Sequence, residues 1–297
     1  MSPGCYILSR QTRRVYLKEL WVPVSAAKAQ QRYVDTLANN IANVNTSGFK
    51  RDTLVFKEYL TSLEKGADID LPSKEWAPED FYRSYGAEHS HVKVDGSFTD
   101  FSQGQMVPTQ NPFDIALKGD GMFEVLTPNG IRYTRKGSFS LNSEGFLVNE
   151  KGNFVLASVD LPQVQKEDLL GAISQIPGPS ERKIKIDGNL KSLGVALNGE
   201  VEANGLLAGK ISVVEFKDKQ ALQREGGSYF INKDANNIKI SSNSTQTLQG
   251  FVEQSNVNAI QEMSELIKAS RQFENIQRAI KTYDNMAGKA YNEITKF

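Results

Sequence analysis

Four carboxylates in the middle of the chain have the chemistry that glycoside hydrolysis requires: Asp114, Asp120, Glu124 and Glu144. That reaction needs two of them on either side of one bond, about 5–9.5 Å apart. Nothing in their spacing brings two of them to one cleft, and acidic residues beside strands are usually solvated. We therefore predict surface carboxylates and no catalytic residue.

Residue types that bind metals or cofactors are sparse. The histidines, His89 and His91, are two residues apart and lack a third ligand for a metal site. Cys5 is the only cysteine, which excludes an intrachain disulfide and CxxC zinc sites. The Gly119-Asp120-Gly121 tract lacks the helix of a phosphate loop and the oxygens of an EF-hand, so it predicts a hairpin turn. We expect no metal, cofactor or small-molecule substrate.

The charge of the chain is balanced, with 35 basic and 35 acidic residues among 297. This balance gives no electrostatic reason to expect nucleic acid or an anionic membrane as a partner, and it favours self-association. No apolar run approaches the ~20 residues that cross a bilayer. Arg10, Arg13 and Arg14 interrupt any secretory signal. The lack of such a signal predicts a cytoplasmic protein, unless export uses a route without a cleaved signal.

Helical periodicity is concentrated at the two ends of the chain. In the first segment apolar residues recur seven apart, and Pro23 marks the helix start because proline suits a first turn. The helix is expected to stop at Asn45-Thr46-Ser47-Gly48, where the glycine tolerates positive φ. In the last segment apolar residues recur at three- and four-residue steps from Val257 to Ile294, after an N-cap predicted at Ser255-Asn256.

Between the helical ends the apolar period changes to two. Phe113, Ile115 and Leu117 alternate, for example, and polar turn sequences separate such short runs. The expected fold class is α+β, with long N- and C-terminal helices packed as a helical core and an inserted antiparallel β domain. The predicted segments are an N-terminal extension at 1–19, a helix and loop at 20–60, a linker at 61–91, an all-β domain at 92–249 and a C-terminal helix at 250–297.

The two expected helices differ in length. At 1.5 Å per residue the second is roughly 58 Å long and the first about 30 Å. Neither is stable alone in water, because helix stability comes mostly from burying an apolar face. We therefore expect the helices to pack together, and the rest of the longer apolar stripe to contact other molecules.

Asparagines crowd the end of the first helix, at Asn39, Asn40, Asn43 and Asn45. Asparagine disfavours helix interiors because its side chain competes for backbone hydrogen bonds. A frayed helix end is the simple interpretation. The functional interpretation is a polar network that fixes this helix–loop junction against neighbouring subunits.

This asparagine-rich tract, ANNIANVNTSGFKR at 38–51, resembles the N-terminal signature of the flagellar rod and hook family of axial proteins. Tracts at 111–123, 133–139, 145–148 and 249–258, the last with Glu262-Met263, resemble the same family in the expected order. Two further tracts, at 98–106 and 270–286, look more like the proximal than the distal rod members. Pro23 and Met122 depart from the family pattern, and residues 1–18 match nothing in it.

The resemblance implies a structural subunit of the flagellar basal-body rod and not an enzyme. Such a subunit crosses the inner membrane through the flagellar export apparatus without signal cleavage and polymerises in the periplasm with copies of itself and with other rod and hook proteins. The expected subunit-interface residues are Asn39, Asn40, Asn43, Asn45, Met263, Ile267, Phe273, Ile280 and Tyr283. The alternative is a secreted β-rich binding module or carbohydrate-active enzyme with a helical stalk, which a concave ligand pocket would indicate.

Overall fold

The computed structural model describes residues 21–61, 89–158, 178–186, 190, 192–226, 228–239 and 244–294. The described residues form two α-helices, α1 (Trp21–Ala42) and α2 (Ala259–Ile294). They also form the strands β1 (Asp52–Thr61), β2 (His89–Thr99), β3 (Met106–Pro108), β4 (Ile115–Lys118), β5 (Met122–Thr127), β6 (Gly130–Thr134), β7 (Phe139–Leu141), β8 (Leu147–Asn149), β9 (Phe154–Val155), β10 (Leu193–Val195), β11 (Glu200–Ala203), β12 (Leu206–Lys210), β13 (Val213–Phe216), β14 (Gln223–Glu225), β15 (Tyr229–Ile231), β16 (Ile238–Lys239), β17 (Gln246–Gln249) and β18 (Phe251–Glu253).

The chain divides into two compact units. One unit comprises Ala42–Arg51 and Thr99–Asn258, and it holds the strands from β3 to β18. The other comprises Met1–Ile41, Asp52–Phe98 and Ala259–Phe297, and its described part holds the two helices with the β1–β2 pair. The extension predicted at 1–19 and most of the predicted linker, residues 62–88, lie outside the described residues.

The strand-rich unit is built from antiparallel sheets. Its largest sheet has the strand order β14-β15-β6-β5-β9-β8-β7, with β13 paired to both β5 and β16. A second sheet has the order β10-β11-β12. Two short pairs, β4 with β17 and β3 with β18, join early strands to the last strands of the unit. The segment that leads into α2 is therefore hydrogen-bonded into the β structure.

Among the described residues, most of the buried apolar side chains form two clusters, and both lie among strands. The larger cluster includes Leu117, Phe123 and Val155, each 0% exposed. The smaller one surrounds Phe230, which is also 0% exposed, with Phe101 packed 5.2 Å from it between ring centroids. The hydrophobic stability of the described chain therefore comes mostly from its β structure.

The predicted fold class, in which long terminal helices form a helical core, is wrong. The described residues contain two helices and are mostly β structure, with α1 only 22 residues long. On the described part of α2 the buried side chains are Glu262 and Ala269, whereas Ile260 is 80% exposed. The physical reason is that apolar periodicity shows which face of a helix is apolar, but not that the same chain covers that face.

The ends of the helices follow local chemistry in part. Pro23 lies in the first turn of α1, as predicted, and Gly48 after the helix has a φ of 67°. The N-cap prediction at Ser255-Asn256 is wrong, because α2 begins at Ala259. The Asn256 side chain instead accepts a hydrogen bond from the backbone N–H of Arg51 at 2.8 Å.

The hairpin predicted at Gly119–Gly121 is also wrong. The strands on either side, β4 and β5, belong to different sheets, because β4 pairs with β17. The Gly121 N–H donates to Thr245 Oγ1 at 3.0 Å, and a Cβ there would lie 2.4 Å from Val213 Cγ1. A glycine is needed at this bend because two packed segments approach it closely.

Candidate functional site

The two helices contact each other through polar side chains. Gln30 Nε2 donates to the backbone oxygen of Ala269 at 3.1 Å, and Tyr33 OH donates to Glu265 Oε2 at 2.8 Å. Nearer the end of α1, Asn40 Nδ2 lies 3.2 Å from Glu262 Oε2. Residue numbers rise along α1 as they fall along α2, so the helices are antiparallel.

Asn40 is the most constrained residue of the asparagine-rich tract, with 0% exposure. Its side-chain oxygen accepts from the Asp52 N–H at 3.0 Å, and its amide donates to the Asp52 oxygen at 2.9 Å. The same amide donates to Glu262, whose side chain is also buried. Asn40 was predicted to lie in a subunit interface. The structure places it inside one chain, where it joins the end of α1, the start of β1 and the first turn of α2.

The other predicted asparagines lie differently. Asn43 is half-buried, and its side-chain oxygen accepts from Thr46 Oγ1 at 3.1 Å. Asn39 and Asn45 are exposed. Both stay predicted interface residues.

A buried ionic cluster follows the asparagine-rich loop within the strand-rich unit. Lys50 Nζ lies 2.6 Å from Glu253 Oε1, and Arg135 Nε lies 3.0 Å from Glu253 Oε2. The side chains of Lys50, Arg135 and Glu253 are 1%, 4% and 1% exposed. The Gly104 N–H also donates to Glu253 Oε1, at 2.9 Å. The cluster ties the loop after α1 to the strand that precedes α2.

Burial dominates the electrostatics of this cluster. Desolvation lowers the pKa of the Lys50 amine below its ordinary value of 10.5, and the charge of Glu253 opposes that shift. Two cations around one carboxylate leave the cluster with one net positive charge. A buried arrangement of this kind depends on every partner, because removal of one leaves an uncompensated charge.

The C-terminal helix has two apolar faces, where the sequence predicted one stripe. One face lies on the side of Ala269, whose backbone oxygen contacts α1. At 100° of rotation per residue, this face includes Phe273, Ile276 and Ile280. All three side chains are half-buried. The second face consists of Ile260, Met263 and Ile267 near the start of α2. These three side chains are 80%, 49% and 55% exposed.

The structure therefore divides the predicted interface residues of α2 into two groups. Phe273 and Ile280 lie on the α1 side, and Tyr283 continues that side with 51% exposure. Met263 and Ile267 lie on the opposite side. A three- and four-residue pattern followed over many turns drifts around the helix, which is why one stripe became two faces.

α2 also extends past the described part of α1. The helices have 36 and 22 residues, or about 54 and 33 Å. Gln30 contacts Ala269, and α1 begins at Trp21, nine residues before Gln30. Because the helices are antiparallel, α1 lies beside α2 as far as about residue 278. Tyr283 and Met286 lie beyond that level, and they are 51% and 52% exposed.

The four candidate catalytic carboxylates are not arranged as an active-site pair. Asp120 and Glu144 are exposed. Glu124 is buried, against the prediction of a solvated surface residue, and its Oε2 is paired with Arg182 and accepts from Ser212 Oγ at 2.7 Å. Asp114 is buried as well, with 9% exposure. Sequence patterns miss the burial of Glu124 because its partners Arg182 and Ser212 are distant in the chain.

The sequence alone indicates no role for Lys50, Arg135 or Glu253. All three lie within the tracts that carry the family resemblance, so a signal is present without a structural interpretation. Within the described ranges, no group of three His, Cys, Asp or Glu side chains is placed to hold a metal ion. Nor is either described helix both long and apolar enough to span a bilayer.

Comparison with known families defines the class of protein. Residues 20–50 match the family model "Flagella basal body rod protein", residues 116–203 match "Flagellar hook protein FlgE/F/G D1 domain", and residues 248–293 match "Flagellar basal body rod FlgEFG protein C-terminal". The first and third matches contain Lys50 and Glu253, and also Asn40 and Glu262. Both pairs of long-range partners are therefore in the parts of the chain that the family models describe.

Individual relatives extend the similarity to almost the whole chain. The flagellar basal-body rod protein FlgG of Borreliella burgdorferi is 32% identical over 283 residues, which cover 93% of this chain and 98% of the relative. The rod protein FlgF of Mesorhizobium japonicum is 31% identical over 258 residues, with 86% and 89% covered. FlgF of Rhizobium meliloti is 28% identical over 275 residues, with 93% and 97% covered. The chain belongs to the family of flagellar basal-body rod proteins.

Proposed function

We propose that this chain polymerises through its two terminal helices into the flagellar rod and transmits torque as part of that shaft. The observation that supports this proposal is the apolar surface of α2 that the described part of α1 does not cover. Exposed apolar side chains at Met263, Ile267, Tyr283 and Met286 are costly in a monomer and become favourable once neighbouring subunits bury them. The family membership favours this structural role over a β-rich binding module or a carbohydrate-active enzyme.

The proposal includes a place and a set of partners. The subunit lies in the periplasmic part of the basal body, after export by the flagellar apparatus without cleavage of a signal peptide. It contacts copies of itself and other rod and hook proteins. Subunits related by a repeated, non-identical contact form rings or helical tubes, which is the symmetry that a rod requires.

The position within the rod stays a prediction. The tracts at 98–106 and 270–286 favour a proximal position, whereas relatives named FlgG and FlgF are similarly close at 32% and 31% identity. Deletion of the gene, followed by isolation of basal bodies, separates the two positions. Loss of a proximal subunit is expected to remove the distal rod protein from the particles as well. If the distal rod protein remains, the proximal assignment is wrong.

The polymerisation proposal is tested by Ile280→Asp. This half-buried residue lies about two residues beyond the level that the described part of α1 reaches, so a neighbouring subunit can bury it further. The loss of one large apolar anchor is expected to cost an interface ~2 kcal/mol or more. The strand-rich unit should stay folded, as judged by circular dichroism of the purified chain, while cells lose motility and isolated rods lose the subunit.

Asn285→Asp is the matched control, because it adds the same charge at an exposed position of the same helix. Cells that carry it should swim normally. Motile Ile280→Asp cells, with the variant subunit present in their rods, would contradict polymerisation through this helix.

A further inference from the structure

The exposed face at the start of α2 is opposite the face that α1 contacts. Ile260, Met263 and Ile267 occupy positions i, i+3 and i+7, so they form one short stripe, here called the outer stripe. Ile267 and Ala269 are separated by about 200° around the helix. Since Ala269 accepts a hydrogen bond from α1, the outer stripe faces away from α1. The intrachain helix pair therefore leaves this apolar surface open.

The described part of α1 has a corresponding exposed row on its own far side. Lys28, Gln31, Asp35 and Ala38 are spaced three, four and three residues apart, and all four are exposed. This set is here called the outer row. Leu37, which is 2% exposed, lies about 160° from Asp35 around the helix. The outer row is therefore a surface of charged, polar and small side chains that faces away from α2.

We propose that the outer stripe of one copy docks on the outer row of the next copy. This inference rests on the proposed function, and it names which faces meet and in what register. When two copies lie side by side in the same orientation and at the same height, α2 of one copy lies beside α1 of the next. These two helices are then antiparallel. That is the order already present within each chain.

The register follows from the contacts within one chain. Gln30 contacts Ala269, and Asn40 contacts Glu262. When a residue of α1 faces a residue of α2, their two numbers therefore add up to about 300. The same level between copies places Met263 opposite Ala38, where a methyl side chain leaves room for the longer one. It also places Lys28 opposite Glu274.

The charges around the apolar contact are complementary in the same register. Gln31 comes opposite Arg271, one turn from the Lys28–Glu274 pair, and Asp35 comes opposite Lys268, two turns from it. Each exposed ion pair is weak by itself, but the series fixes the level of one helix against the next. Both halves of the contact are on the same chain, and its net charge is zero, so a second copy fits this surface without long-range repulsion.

Disulfide cross-linking in isolated basal bodies tests the inference. In a Cys5→Ser background, Ala38→Cys with Met263→Cys is expected to give covalently linked multimers on a non-reducing gel. The two positions lie on opposite sides of the helix pair, so a bond within one chain is excluded. Asp35→Cys with Ile267→Cys is a second pair in the same register, in case the first prevents assembly. Ala38→Cys with Lys281→Cys is the matched control, displaced by about 26 Å along the helix, and should give none.

A charge exchange gives an independent measurement. Lys28→Glu is expected to slow cross-linking of the first pair by roughly two- to fivefold, and Glu274→Lys in the same chain is expected to restore the rate. Rods that contain the chain but show neither in-register cross-link, or show links to a different rod protein, would overturn this inference while the proposed function stands. A chain absent from isolated rods would remove the proposed function and this inference together.

Discussion

The amide of Asn40 donates a hydrogen bond to Oε2 of Glu262 at 3.2 Å, although 222 residues separate the two in sequence. Asn40 ends α1 and Glu262 begins α2, so this pair sets the level at which the two helices meet. Both side chains are almost completely buried, at 0% and 1% exposure. The Asn40 side chain also binds both backbone groups of Asp52. One residue therefore positions three elements.

Substitution of Asn40 tests this role. Asn40→Ala removes one partner of a buried carboxylate and two partners of the Asp52 backbone, which is expected to lower the free energy of unfolding by about 1–3 kcal/mol. Urea denaturation followed by helix circular dichroism measures the loss. Gln31→Ala is the control on the same helix, because it also removes a side-chain amide, but at an exposed position, and should stay within about 0.5 kcal/mol. Equal effects of the two substitutions would contradict the role assigned to Asn40.

Substitution of Glu253 tests the buried ionic cluster. Glu253→Gln keeps the shape of the side chain but leaves Lys50 and Arg135 without a counter-charge in a buried site. Broken buried pairs of this kind cost about 3–5 kcal/mol, so chemical denaturation should show a large loss. Glu150→Gln is the matched control, since its pair with Lys136 is 57% exposed on the Glu150 side and should contribute no more than about 1 kcal/mol. A loss at Glu253 as small as the loss at Glu150 would mean that the cluster does not hold the two segments together.

The sequence predicts the local elements better than their burial. The first turn of α1 at Pro23 and the positive φ of Gly48 follow from the conformational limits of proline and glycine, which act within a few residues. The period of α2 is also visible. The sequence predicts one stripe where α2 has two apolar faces, because it does not show which side meets α1.

The buried polar residues could not be predicted from local patterns. Lys50, Glu124 and Glu253 are charged residues of types that usually lie at the surface. Each is buried because a partner from a distant segment compensates its charge, such as Arg182 for Glu124. The polarity of Asn40 indicates a hydrogen-bond network, and the sequence predicts that network at a subunit interface. Only the fold shows that the partners of Asn40 are in the same chain.

Gly48→Ala tests why the loop after α1 ends in glycine. The residue has a φ of 67°, and a Cβ there would lie 2.5 Å from the backbone nitrogen of Lys136. Gly152→Ala is the matched control, with a φ of 77° and no atom within 4 Å of its Cβ. In the control, the free energy of unfolding should fall only by the roughly 1–2 kcal/mol that a left-handed backbone conformation costs a residue with a Cβ. Gly48→Ala should lose clearly more in the same denaturation experiment, because a backbone segment must also move. Equal losses would show that the close approach to Lys136 does not constrain position 48.

Tyr133 gives the strand-rich unit a pH dependence of known sign. Burial, and to a smaller extent the charge of Glu124, raises the pKa of the Tyr133 hydroxyl from 10.0 to about 12. Between these two values the folded chain keeps a proton that the unfolded chain releases. The contribution of Tyr133 to stability is therefore complete below pH 10 and is lost as the pH rises through about 12.

Two measurements check this expectation. Tyrosinate absorbance of the folded chain should show one of its ten tyrosines titrating near pH 12, and Tyr133→Phe should remove that step. Denaturation at a series of pH values above 10 should show a steeper loss of stability in the unsubstituted chain than in Tyr133→Phe, because phenylalanine has no proton to release. Circular dichroism at each pH confirms that the fold persists during the titration. Parallel stability curves for the two chains would mean that the Tyr133 hydroxyl is not held in its neutral form by burial.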